Sequence, residues 1–151
     1  MRIALYQPDI PQNTGTILRT AVCFGIPVDI IEPCGFLWDD KLLKRAGMDY
    51  LPKAALTRHL SWEDFLTHKP AGRLVLFTTK ATQSYANFTF QPDDILLFGR
   101  ESCGVPDDVH EKADVRLRIP MKQGERSLNL AISCAIATAE ALRQTGQFPP
   151  L

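Results

Sequence analysis

The stretch RSLNLAISCAIATAEAL, residues 126–142, has a polar start and an almost wholly small or apolar body. This pattern predicts a helix that Ser127 caps. The N-terminus of a helix has free N–H groups and the positive end of the helix dipole. Arg126, Ser127 and Asn129 therefore form a predicted rim for polar or anionic ligand atoms. The small residues behind them are expected in the core or at a dimer interface.

Two glycines mark a second candidate site in LLFGRESCGVP, residues 96–106. Gly99 and Gly104 permit a sharp bend and a close approach of the backbone to a ligand, but they also fit a plain turn. The sequence has neither a GxxxxGK[ST] phosphate loop nor a GxGxxG dinucleotide turn. These motifs are missing, so nucleotide enzymes that cradle phosphate and nicotinamide-binding domains are disfavoured.

Cationic side chains form two further candidate sites that could bind an anionic partner. Arg19 lies within the apolar periodicity of the first predicted helix, where an ordinary solvent-facing arginine is the alternative interpretation. Lys41, Lys44 and Arg45 lie at helical spacing and share one face, which is either a solvated face or a basic patch. Sequence alone leaves both questions open.

The overall composition limits the possible binding partners of the protein and its possible location in the cell. Basic and acidic residues balance at 17 each, so net charge gives no argument for a nucleic-acid partner, and only a local patch could bind one. No stretch approaches the ~18 apolar residues of a membrane span, and the N-terminus lacks the apolar core of a signal peptide. We therefore expect a cytoplasmic protein with no membrane partner.

Cysteine and histidine spacing predicts neither a zinc site nor a disulfide framework. The sequence has no CxxC and no Cys/His ligand pair, so small buried thiols and no bound metal are expected. The histidines are interpreted as surface or core side chains. The residues concerned are Cys23, Cys34, Cys103 and Cys134, with His59, His68 and His110.

The elements that must position these residues alternate along the chain. Strands are expected at 2–7, 27–33, 73–80, 94–99 and 115–120. Helices are expected at 13–25, 39–48, 61–68, 106–113 and 126–142. Asn13 is the predicted N-cap of the first helix, Gly25 its C-terminal stop, and Pro106 the first residue of the fourth helix. The alternation predicts an α/β fold, a single domain over residues 1–151, with a mainly parallel sheet and helices on both faces.

Ligands of an open parallel sheet bind beyond the carboxyl ends of its strands, where four loops are expected at 7–15, 78–83, 99–106 and 120–129. Three segments that include these loops resemble the motifs of the SPOUT class of RNA methyltransferases. NTGTILR resembles the first motif, LLFGRESCGVP the second, and IPMKQGERSLNLAISCAIA the third.

A narrower resemblance extends over residues 2–146. PDIPQNTGTILRT, IIEPCGFLWDDKLLKRAGMDY and TRH are similar to the TrmL (YibK) group, which methylates the 2′-hydroxyl of the tRNA wobble nucleotide. The chain departs from that group's pattern at Ala131, Ile132 and Ala139. The resemblance implies a C-terminal trefoil knot, a homodimer, S-adenosylmethionine as cofactor, and a tRNA anticodon stem-loop as partner, with leucine tRNAs as expected substrates.

The resemblance also implies roles for particular residues. The expected catalytic residues are Asn13, Arg19, Glu101 and Asn129. The expected cofactor-binding residues are Phe77, Thr78, Gly99, Glu101, Gly104, Ile119, Met121, Ser127 and Leu128. The expected RNA-binding residues are Lys41, Lys44, Arg45, Arg58, Lys122 and Arg126.

By the same resemblance, Arg19 lies nearest the reacting hydroxyl, in a site shared with the other subunit. A guanidinium stays protonated to about pH 12, so Arg19 is expected to stabilise the developing alkoxide and hold a phosphate, while the phosphate or water takes the proton. Two alternatives remain open. The chain could methylate another tRNA or rRNA position, or it could bind S-adenosylmethionine or RNA without catalysis.

Overall fold

The structure is a computed structural model that describes residues 1–45 and 51–151. Its strands are β1 (Arg2–Tyr6), β2 (Val28–Ile31), β3 (Leu56–His59), β4 (Leu74–Phe77), β5 (Ile95–Phe98) and β6 (Val115–Leu117). Its α-helices are α1 (Pro11–Phe24), α2 (Asp40–Arg45), α3 (Trp62–His68), α4 (Asp107–Lys112) and α5 (Leu130–Thr145). The last three residues of the helix predicted at 39–48 lie outside the described residues.

The six described strands form one parallel sheet in the order β3-β2-β1-β5-β4-β6. The chain first builds outward from β1 to β3, and then places β5 on the other side of β1. The loops that follow β1 and β5 therefore emerge side by side at the point where the strand order reverses, which is where such sheets bind ligands. The predicted parallel α/β sheet is confirmed.

Helices cover both faces of the sheet, as predicted. On one face α1 and α5 pack over apolar side chains such as Ile3, Leu96 and Phe98. On the other face α3 and α4 pack over a second cluster that includes Leu76 and Leu97. β4 and β5 are buried along their whole length, because each strand is covered on both sides.

Strand β3 was missed by the sequence prediction. It lies at the edge of the sheet, and of its four residues only His59 is buried. Because Thr57 and Arg58 are both exposed, the strand shows no apolar alternation that would distinguish it from a loop.

Three predicted helix starts are wrong. α1 begins at Pro11 with Ile10 as N-cap, so Asn13 lies inside the first turn. α5 begins at Leu130 and its N-cap is Asn129, not Ser127. Pro106 is the N-cap of α4 and not its first residue. Gly25 ends α1 in the left-handed conformation, at φ 67°, as predicted.

The thiols differ in burial, so the prediction that all four are buried is wrong. Cys23 and Cys103 are exposed. Cys134 is fully buried, and desolvation raises the pKa of its thiol to about 12. Partial burial raises the pKa of Cys34 to about 11. The described part of the chain holds no cluster of potential metal ligands, and none of its helices could span a membrane.

A buried charge cluster joins the first three strands. Asp29 of β2 is 1% exposed. Its carboxylate accepts hydrogen bonds from Arg2 Nε at 2.8 Å and Arg2 Nη2 at 3.0 Å, and it lies 2.8 Å from His59 Nε2. Since Arg2 belongs to β1 and His59 to β3, one carboxylate satisfies polar groups from both neighbouring strands.

Asp29→Ala should lower the free energy of unfolding by about 3–5 kcal/mol, because it leaves the Arg2 and His59 side chains without this carboxylate. Urea denaturation measures the change. The control is His68→Gln, which removes the exposed pair between His68 and Asp64 and should cost less than ~1 kcal/mol. An Asp29→Ala effect as small as the control's would contradict the stabilising role of the cluster.

Candidate active site

A cavity of about 520 Å³ opens at the carboxyl ends of β4 and β5. Residues from all four loops expected beyond the strand ends contribute to its lining, together with the segment that follows β6. The lining includes every residue expected to bind the cofactor: Phe77, Thr78, Gly99, Glu101, Gly104, Ile119, Met121, Ser127 and Leu128. The structure brings these residues together, and their role in binding stays a prediction.

Three of the expected catalytic residues are joined by hydrogen bonds beside this cavity. Asn129 Nδ2 donates to Asn13 Oδ1 at 3.0 Å, and Asn13 Nδ2 donates to Glu101 Oε1 at 3.3 Å. Asn129 Oδ1 accepts from the backbone N–H groups of Ala131 and Ile132 at the start of α5. The N-terminus of α5 is thereby connected to the carboxylate of Glu101.

Asn129, Asn13 and Glu101 form a row of hydrogen-bonded side chains. The direction of each hydrogen bond in this row follows from the groups at the two ends of the row. An ionised carboxylate only accepts, so Asn13 must turn its NH₂ group toward Glu101 and its oxygen toward Asn129. The helix N–H groups only donate, so Asn129 must turn its oxygen toward α5. Asn13 and Asn129 can therefore not rotate their amides without losing a partner.

Glu101 is held further by the backbone of the first loop. Its Oε2 accepts from the N–H of Asp9 at 2.7 Å, and its Oε1 accepts from the N–H of Ile10 at 3.3 Å. With Asn13, three donors converge on this carboxylate, which fixes its orientation at the edge of the cavity. This use of Asn13 explains why it does not cap α1.

The loop between Gly99 and Gly104 is a tight backbone hairpin. Arg100 and Gly104 exchange two backbone hydrogen bonds, each 2.9 Å long. A Cβ atom on Gly99 would lie 2.6 Å from the carbonyl carbon of Gly104, which is closer than real Cβ contacts. Gly104 has φ +69°, a conformation that favours glycine. Both glycines are therefore required by the shape of this loop.

Sequence reasoning missed Asp9. Its Oδ1 accepts from Arg100 Nε at 2.9 Å, and its Oδ2 accepts from the N–H of Ser102 at 3.1 Å. The bond to Arg100, followed by the bonds to Ser102, holds the pKa of the Asp9 carboxyl below its usual value. Its position in the loop after the first strand was the available signal. The cavity-lining cations Lys80 and Arg118 were missed as well.

Arg19 lies apart from these residues. It is exposed on α1 and is not among the residues that line the cavity. The sequence interpretation of Arg19 as either solvent-facing or catalytic is compatible with this position.

The expected RNA-binding residues are spread over the surface. Lys41, Lys44 and Arg45 are exposed on α2, and Lys122 and Arg126 are exposed after β6. Only Arg126 of this set lines the cavity. Arg58 donates to Glu32 Oε1 from Nε at 2.7 Å, and its guanidinium lies 4.8 Å from the ring centroid of Trp38.

The chemistry of the lining suits an organic ligand with both apolar and charged parts. Leu76, Phe77 and Ile119 supply apolar surface, and the backbone of the loop from Gly99 to Gly104 supplies polar groups. Charged groups of both signs also reach the cavity: Lys80, Arg100, Arg118, Arg126 and Glu101. Such a site would bind and orient a ligand largely through surface contact and backbone groups.

Comparisons with known proteins agree with this geometry. A model of the SpoU rRNA Methylase family matches residues 1–139. A relative from Beijerinckia indica, named tRNA (cytidine(34)-2′-O)-methyltransferase, is 55% identical over 146 residues, which cover 95% of this chain and 91% of the relative.

Two solved structures are similar over nearly the whole chain. One, described as giving insights into the 2-OH methylation of C/U34 on tRNA, has a TM-score of 0.90 and 43% identity, covering 95% of this chain and 94% of that one. The other, an AdoMet-bound rRNA methyltransferase from Sinorhizobium meliloti, has a TM-score of 0.83 and 27% identity, covering 94% of this chain and 55% of that one. The resemblance predicted from the three motifs is confirmed, and the chain belongs to the SpoU rRNA methylase family.

Proposed function

We propose that this protein transfers a methyl group from S-adenosylmethionine to the ribose 2′-hydroxyl of nucleotide 34, the wobble nucleotide, of tRNA. One observation carries the proposal. A chain 55% identical to a tRNA (cytidine(34)-2′-O)-methyltransferase gathers its three motifs around one cavity at the carboxyl ends of β4 and β5. The family, the fold and the site therefore agree on an enzyme of this class.

The cavity fits S-adenosylmethionine by the chemistry of its lining. The adenine would lie against Phe77, Ile119 and Leu128, and backbone groups of the Gly99–Gly104 loop would bind the polar atoms of the adenosine. Lys80 and Arg118 are two of the cavity-lining cations that could bind the carboxylate of the methionine part. When bound, S-adenosylmethionine would supply a methyl group on a positively charged sulfur, and this methyl group is already activated for transfer.

With an activated donor, the chain's own residues have chiefly to align the acceptor and stabilise charge. The Asn13–Glu101–Asn129 row keeps the edge of the cavity rigid and polar. Arg19 is assigned to the developing alkoxide and a neighbouring phosphate, because its guanidinium stays charged and offers a planar fork of donors. A phosphate or water takes the proton of the hydroxyl, since Arg19 has no basic site to accept it.

A homodimer would bring Arg19 of one subunit to the cavity of the other. Two apolar side chains near the starts of α1 and α5 support such an interface, since Ile10 is 41% and Ile132 51% exposed. Exposed apolar residues around a polar site are typical of surfaces that bind a partner. The proposal assigns these residues to the subunit interface.

The proposal includes a C-terminal trefoil knot. After β6, at the edge of the sheet, the chain returns past the connection between β4 and β5, where Arg118 N–H donates to Gln83 O at 2.8 Å and Tyr85 N–H donates to Arg118 O at 3.0 Å. It then enters α5, which packs on α1 and β5. This crossing supports the threading expected of the class.

The proposed RNA partner is the anticodon stem-loop, with leucine tRNAs as substrates. In a single-stranded loop the bases can turn outward and the 2′-hydroxyls are accessible. The exposed cations of α2 and of the segment after β6 are assigned to its phosphates. An enzyme that modifies tRNA acts where tRNA is used, so the proposal places it in the cytoplasm.

Labelled methyl transfer tests the reaction. The enzyme should transfer label from S-adenosylmethionine to tRNA from cells that lack this protein, and nucleoside mapping should place the label on the ribose of nucleotide 34. A parallel assay with unmodified tRNA shows whether another modification must come first. Label at a different tRNA position or in rRNA would replace the proposed substrate, and no label despite cofactor binding would indicate a binder without catalysis.

Arg19→Lys should lower kcat by at least about tenfold, because a lysine keeps the charge but lacks the planar fork of donors. S-adenosylmethionine affinity, measured by calorimetry, should stay near that of the wild type, since Arg19 does not line the cavity. Lys69→Gln, at the half-buried C-cap position of α3, is the control and should leave kcat unchanged. Near-normal turnover in Arg19→Lys would contradict its assigned role.

A mixed dimer tests whether the site is shared. Arg19→Ala and Asn129→Ala chains should each be inactive as homodimers, since each lacks one half of every site. Co-expressed with different tags and purified as a heterodimer, they should recover about half of the wild-type activity, because one of two symmetric sites is then intact. A heterodimer as inactive as its parents would show that Arg19 acts within its own chain.

A further inference from the structure

Asp9 connects the first loop of the chain to the hairpin that carries Glu101, and no role follows for it from the reaction itself. We propose that Asp9 is a positioning residue, which holds the Glu101 carboxylate in place for methyl transfer. The Asp9 cluster comprises Gln7, Asp9, Gly35, Arg100 and Ser102. This inference rests on the proposed function. In it, the cluster holds the residues of the site in their positions and does not serve to stabilise the fold.

All the acceptor positions of Asp9 point at the hairpin or at its base. Oδ1 accepts from Nε and Nη2 of Arg100, and Oδ2 accepts from the N–H and the hydroxyl of Ser102. Glu101 lies between these two residues in sequence. Both neighbours of Glu101 are thus fixed by one carboxylate, while Glu101 itself accepts from the N–H of Asp9.

The backbone is shaped to bring Asp9 to this position. Gln7 has φ 45°, a left-handed conformation that is unfavourable for a residue with a side chain. Its Oε1 accepts from Arg100 Nη1 at 3.3 Å. A strained residue directly before a functional loop is typical of segments whose geometry serves the site.

Gly35 closes the cluster from the opposite side. A Cβ atom at this position would lie 2.6 Å from Asp9 Oδ1 and 3.0 Å from its Cα. The N–H of Gly35 donates to the carbonyl of Pro8 at 2.9 Å, which holds the two loops in contact. Asp9 therefore has no room to move away from Arg100, and a methyl group at Gly35 would have to displace its carboxylate.

Two substitutions disturb the Asp9 carboxylate independently. Asp9→Asn keeps the shape but turns an NH₂ group toward either Arg100 or Ser102, where only an acceptor fits. Gly35→Ala removes no charged or polar side chain of the cluster, and its methyl group displaces the Asp9 carboxylate by steric contact. Each should lower kcat by about tenfold or more, while the S-adenosylmethionine Kd changes by less than about threefold and Tm stays within a few degrees.

Hydrogen exchange at the amide of residue 9 gives a readout that is independent of activity. This amide donates to Glu101, so its exchange should become at least about tenfold faster in both variants if the carboxylate is displaced. Asp9→Ala removes Oδ1, the atom nearest to the added methyl group of Gly35→Ala, and leaves only the longer contacts with Cα and Cβ of residue 9. In the Asp9→Ala background, the addition of Gly35→Ala should therefore lower kcat by a further factor of less than about two. His68→Gln is the control and should change neither readout.

The outcomes separate the two proposals. Slower turnover, faster exchange at residue 9 and non-additivity support the positioning role. Unchanged kcat and exchange in Gly35→Ala, fully additive losses, or losses that parallel Tm would overturn it. If wild-type protein methylates no tRNA but exchange at residue 9 is faster in both variants, the proposed function fails, and the placement of Glu101 by Asp9 stands.

Discussion

The carboxylate of Glu101 is the point on which the arrangement of the site depends. It accepts from the first loop, 92 residues earlier in the chain, and from Asn13 inside α1. Asn13 continues the contact to Asn129 at the start of α5. The first loop and the start of α1 thus donate directly to this acceptor-only group, and α5 is connected to it through Asn13, so a displacement of any of these segments changes the hydrogen bonds of the others. The parallel sheet makes this possible, because it delivers the ends of β1 and β5 side by side.

The sequence predicts the parts of this protein that are set by apolar pattern. Strands β4 and β5 are continuous apolar runs, and their burial on both faces follows from that. β3 could not be found, because an edge strand with exposed Thr57 and Arg58 carries no such pattern. Asn13 and Ser127 were assigned as caps from residue type alone. In the structure Asn13 makes a long-range hydrogen bond, and Asn129 is the N-cap of α5. Neither feature follows from the few residues around each position in the sequence.

The net charge of zero does not show which charged side chains are paired within the fold and which are exposed. Several basic residues are held by carboxylates within the fold, as in the pairs of Arg2 with Asp29 and Arg73 with Asp94. These pairs stabilise the sheet and its connections and leave little field outside the protein. The exposed cations of α2 and of the segment after β6 are then a local feature, which composition averages out. A protein of zero formal charge is therefore compatible with an RNA substrate.

Asn129 has two tasks, since one atom of its amide caps α5 and the other bonds to Asn13. The residue is translated 116 positions after Asn13. As chains emerge from the ribosome N-terminal part first, β1, α1 and most of the sheet can assemble before the residue that completes the site has been made. A chain that has not yet been synthesised as far as Asn129 therefore lacks both the hydrogen bond to Asn13 and the cap of α5, so its site is incomplete.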